Sequence, residues 1–139
     1  MKYVVIPTFA AIVFASCGSN TASTQHPSAK YEEKKASMEE MERDSPLKFL
    51  KVSGSSHGNL VNQTVVEGEI RNKATLITYK NIQLQITFLD KEGSVIEKQK
   101  ESLDVEVKPG ESEDFKIKTG HVKGTNSVTF DIVSATADK

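Results

Sequence analysis

This chain of 139 residues has no tryptophan, a single cysteine, three histidines, three tyrosines and six phenylalanines. One thiol, Cys17, cannot close an internal disulfide, and it has no neighbouring ligands for a zinc or redox motif. Scarce aromatics leave no obvious stacking platform for single-stranded nucleic acid or sugars. A formal net charge of −1 removes the electrostatic case for a nucleic-acid partner. The histidines are dispersed: His26 sits in a polar tract, and His57 and His121 lie in glycine-rich stretches. No nucleophile elbow, phosphate-binding glycine loop, dinucleotide fingerprint or EF-hand pattern occurs. The expectation is a non-enzymatic chain with no cofactor and no metal centre.

What is present begins at Thr78–Gly93. Ile82, Leu84, Ile86 and Phe88 alternate with Gln83, Gln85 and Thr87, which gives a strand with one apolar and one polar face. Asp90-Lys91-Glu92-Gly93 then supplies a turn, and Val95-Ile96 starts the return strand. Similar runs occur at Leu47–Ser53, ended by a Gly54–Asn59 loop, and at Thr64–Asn72. Others follow at 103–107, at Phe115 and Ile117, and at Val128, Phe130 and Ile132. Together they predict an all-β antiparallel sandwich or barrel of about seven strands over 47–136. The carboxylates at Asp104, Glu106, Glu111, Glu113 and Asp114 fall where solvent-facing strand and turn residues belong. A calcium site at Asp90 and Glu92 has no supporting motif. Asn62-Gln63-Thr64 fits a glycosylation sequon.

Upstream of the domain, 1–16 reads as a signal peptide: Lys2 supplies positive charge, and Tyr3–Phe14 is an apolar run too short to span a bilayer. Phe14-Ala15-Ser16-Cys17-Gly18 resembles the lipobox of bacterial lipoprotein signal peptides. That resemblance implies that Cys17 is lipidated, with palmitate-type acyl chains, and becomes the mature N-terminus. Gly18-Ser19, in place of an aspartate after the cysteine, favours the outer membrane under the same resemblance. Two or three acyl chains, at about 0.8 kcal/mol per buried methylene, would hold the protein on the membrane. Residues 17–46 read as a flexible to partly helical tether. Its small-polar start gives way to Ala29–Asp44, where Lys35, Glu39 and Arg43 are spaced for helical ion pairs and Tyr31, Met38 and Met41 form a narrow apolar stripe.

The series Val66-Glu67-Gly68-Glu69-Ile70-Arg71-Asn72, Tyr79-Lys80-Asn81-Ile82, Ile86-Thr87-Phe88-Leu89-Asp90 and Pro109-Gly110-Glu111-Ser112 resembles the FxLYD-type immunoglobulin-like domains of bacterial envelope proteins. The resemblance implies a sandwich in which these are fold residues. Functionally the expectation is a lipid-anchored envelope protein whose domain is an interaction or structural module. Its partner would be an envelope protein, met by an edge strand or by the loops at Ser53–Asn62 and Gly120–Ser127. The competing expectation is a small-ligand or metal carrier using loop residues near His57 and His121.

Overall fold

The computed structural model describes residues 27–138. The expected signal peptide 1–16, the expected lipidation site Cys17, and His26 lie outside the described residues. The chain opens with helix α1 (Pro27–Asp44) and one short turn of helix, α2 (Pro46–Phe49). Six strands follow: β1 (Leu50–Gly58), β2 (Gln63–Asn72), β3 (Thr78–Leu89), β4 (Val95–Leu103), β5 (Ser112–Gly120) and β6 (Ser127–Asp138). They form two antiparallel three-stranded sheets, ordered β1-β2-β5 and β4-β3-β6. The all-β sandwich expected from the alternation is the observed architecture.

The core lies between the inner faces. Val66 and Ile70 of β2 and Phe115 and Ile117 of β5 face Ile82, Leu84, Ile86 and Phe88 of β3. Phe115 meets Phe130 of β6 edge-on at a centroid distance of 6.2 Å, so the rings bridge the two sheets.

Three local expectations are corrected. The run at Leu47–Ser53 divides: Pro46 starts α2, Leu47 is left exposed, and the strand begins at Leu50. The Gly54–Asn59 stretch is mostly strand, not loop, because Gly54 pairs with Gly68. A Cβ on Gly68 would sit 2.0 Å from the Ser53 carbonyl oxygen, and one on Gly54 would sit 2.2 Å from that of Glu67. Two glycines face to face let the backbones approach where any side chain would hold them apart. Finally, the runs at 95–96 and 103–107 are one strand, β4, with Val107 reduced to an isolated bridge to Tyr79. Six strands therefore stand in place of seven among the described residues. Gly68→Ala should weaken the fold by about 2 kcal/mol through forced displacement of β1. A denaturation midpoint equal to the parent's would show that β1 moves at no expense.

On β4 the residues paired with the β3 core series are Glu97, Gln99, Glu101 and Leu103. Three inward positions of this edge strand are thus polar, and Gln99 is held by a hydrogen bond from the Thr119 hydroxyl on β5. Charge turned inward on an edge discourages another strand from adding there.

Candidate functional site

The strand directions sort the connections between two ends. At the base lie α2, the 73–77 segment and the 104–111 connection. At the far end lie the β1–β2 hairpin (59–62), the β3–β4 hairpin (90–94) and the β5–β6 loop (121–126). The last two are tied by a 2.7 Å hydrogen bond from the Asn126 amide to the Leu89 carbonyl.

The base holds the buried polar chemistry. Glu42, at 1% exposure, is the buried side chain of α1. Its Oε1 accepts from the Thr75 amide (2.7 Å) and the Thr75 hydroxyl (2.8 Å), and its Oε2 from the amides of Leu76 (2.8 Å) and Ile77 (3.1 Å). Burial pushes this carboxyl up, but the hydrogen bonds from Thr75, Leu76 and Ile77 outweigh burial and hold its pKa below the ordinary 4.5. The Tyr79 hydroxyl donates to the Glu42 carbonyl oxygen at 2.7 Å. Burial, with the Glu42 charge nearby, pushes that phenol up to about 12, so it stays a donor.

Beneath it, fully buried Asn72 donates to the carbonyls of Ile77 (2.8 Å) and Val107 (3.0 Å) and accepts from the Ala74 amide (2.8 Å). The bond from the Ala74 amide is local, and the reach to Val107 is one that the sequence does not signal. Both side chains have their hydrogen bonds spent on holding the fold together.

At the far end, His57 and His121 do come together on one cleft of about 190 Å³, shared with Ser56, Thr64, Thr125 and Asn126. His57 Nδ1 lies 4.0 Å from Glu67 Oε1, and Glu67 is itself bonded to Lys116 at 2.9 Å. The Lys116 ammonium holds the exposed Glu67 carboxyl below its ordinary range. Among the described residues no three His, Cys, Asp or Glu side chains are grouped to hold a metal ion. The Asp90 carboxylate, considered above for calcium, is occupied by the amides of Glu92 (2.9 Å) and Ser94 (2.8 Å), an arrangement that shapes the turn.

The apolar surface is unevenly spread. Outside the helices, the exposed large hydrophobic side chains of the described residues are Leu60, Val61, Val95 and Ile96, all at the far end. The pairing shift at Phe88/Leu89 passes over Ile96, which turns it out of the strand's alternation. On α1 the stripe of Tyr31, Met38 and Met41 is exposed, and an ion pair joins Glu39 to Arg43 at 2.7 Å, four residues apart as the spacing predicts. No helix of the described residues is long and apolar enough to cross a membrane.

No family model matches the chain, and no curated protein matches it either. Among solved structures it is similar to the trimeric lipoprotein SadB of Salmonella enterica. The two share 12% identity and a TM-score of 0.47, with 78% of this chain and 75% of that one covered.

Proposed function

We propose that this chain is a lipid-anchored protein of the bacterial envelope, held at the outer membrane through Cys17. Its FxLYD-type immunoglobulin-like sandwich serves as a non-catalytic interaction module. The observation that carries the reading is the division of labour in the domain. Its buried polar groups, Glu42, Asn72 and Tyr79, are spent on folding, whereas outside the helices its exposed large aliphatic side chains collect at one end. A site for chemistry would show the reverse, with polar groups buried and uncommitted. The anchor rests on the lipobox, and helix α1 sets the domain off from it.

Intact-mass measurement of the protein extracted from native membranes should give a mature chain beginning at Cys17 with acyl mass added, and Cys17→Ser should move the protein to the soluble fraction. An unacylated cysteine would sink the anchor, and a soluble parent protein would do the same. The cleft shared by His57 and His121 favours a second reading, a small-ligand or metal carrier. On that reading a divalent metal raises the melting temperature, and the paired His57→Ala and His121→Ala changes abolish the rise. A melt that no metal moves would end it.

A further inference from the structure

The four sheet edges are not equally closed. On β4, Glu97, Gln99 and Glu101 turn inward and guard the edge. β1 and β6 border one another along a cleft lined by Leu50, Val52, Asp131 and Ile132, and α2 lies against β6. β5 is the edge left open. Its inner side chains reach across the core, Phe115 to Phe130 and Thr119 to Gln99. Its backbone pairs with β2 alone, and among the described residues no amide or carbonyl of 113–119 bonds outside that ladder. About half of the backbone groups along this strand therefore point away from the sheet.

β5 also carries an ordered set of charges. Asp114, Lys116 and Lys118 are exposed on the outer face, alternating with buried Phe115, Ile117 and Thr119. β2 answers one of the three: Lys116 lies opposite Glu67 and pairs with it at 2.9 Å. The other two are left over. Asp114 lies opposite Glu69, like charge against like, and Lys118 lies opposite Val65. Neither has an ion-pair partner among the described residues.

We propose that β5 pairs with the β5 of a second copy of this chain, antiparallel about a two-fold axis at Lys116, so that the two β1-β2-β5 sheets become one continuous sheet. In that register Asp114 of each copy lies opposite the partner's Lys118, and a single symmetry operation matches both leftover charges. Lys116 meets its own counterpart at the axis, but each ammonium is already held by the Glu67 of its own chain. On the inner face Phe115 falls opposite the partner's Ile117, an apolar cross-strand pair. The occupant follows from the charge order: acid before lysine along one strand is its own complement only when the second strand runs the other way. The inference goes beyond the interaction-module reading, whose partner is a different envelope protein.

The test uses the full-length chain in native membranes with Lys116→Cys, at the axis, and with Lys98→Cys, on the outer face of β4, as a comparison that shares every other thiol. A short thiol-to-thiol cross-linker should convert the first into a covalent homodimer and leave the second single. Adding Asp114→Lys or Lys118→Glu to the Lys116→Cys chain turns two attractions into two repulsions, and the dimer yield should fall about tenfold. The two changes together reverse both charges and should restore it. All of these side chains are exposed, so the melting temperature should stay that of the parent. Equal cross-linking from position 98, none from position 116, a yield indifferent to the charge changes, or a reversed pair that fails to restore it would overturn the inference. A native mass of the parent chain in detergent equal to a monomer or a trimer would do the same. None of these outcomes touches the reading of the domain as a module for a different partner.

Discussion

Replacing Asn72 by alanine is expected to destabilise the domain by about 4 kcal/mol, measured by chemical denaturation. The change removes two donors and an acceptor at once. It strands the carbonyl of Ile77 and the amide of Ala74 in the interior and leaves the Val107 carbonyl with the Tyr79 amide as its remaining donor. Asn72→Asp should be at least as harmful, since a carboxylate can satisfy the Ala74 amide but would set a buried charge against two carbonyl oxygens. The backbone of Asn72 also bonds to the 108–111 turn, through its amide to Glu111 and its carbonyl to Gly110, so β2, β3 and that turn share one anchoring residue. A variant that unfolds at the parent midpoint would show that the network is incidental to stability.

Glu42→Ala should have the next largest effect, a loss of about 3 kcal/mol and about 10 °C in melting temperature, because three backbone amides and one hydroxyl lose their acceptor together. Hydrogen exchange at Thr75, Leu76 and Ile77 should quicken in step, and unchanged protection there would refute the assignment. The pH dependence is also fixed in direction. With the folded-state pKa held below the ordinary 4.5, the carboxylate's contribution is complete above that value and is lost as pH falls through the folded-state value. The parent should therefore show an acid-side loss of stability that the alanine variant lacks. Salt should alter this little, whereas the exposed Lys80–Asp138 pair at 2.6 Å should weaken with salt and add little to stability at any pH.

How far the fold was legible varied with the physics involved. The β3 face at Ile82–Phe88 is visible as period-two alternation because each residue reports its own burial. The β1 stretch from Gly54 to Gly58 is not, since glycine and serine read as loop, and only pairing with a second glycine on β2 makes them strand. Val95 and Ile96 read as the apolar start of the return strand, and in the β3–β4 register, which passes over Ile96, both are left exposed. Glu42 gives no signal: it looks like any solvated acid on a charged helix, and its acceptor role depends on amides more than thirty residues away. Of the far end, the sequence shows His57 and His121 in glycine-rich stretches, the first of which is the end of β1. The coincidence of Leu60, Val61, Val95 and Ile96 there needs the strand directions, which only the assembled sheets provide.

The Glu42 clamp has a mechanical consequence. Tension arriving along α1 does not fall on the covalent junction at Ser45, between α1 and α2, alone. The carboxylate relays part of it into the 75–77 segment, which Asn72 secures to the interior, and the Tyr79 hydroxyl holds the Glu42 carbonyl, so a tug on the amino-terminal side is resisted by these attachments in parallel with the chain. A pulling experiment would then record an early rupture in the parent that is missing when residue 42 cannot accept hydrogen bonds.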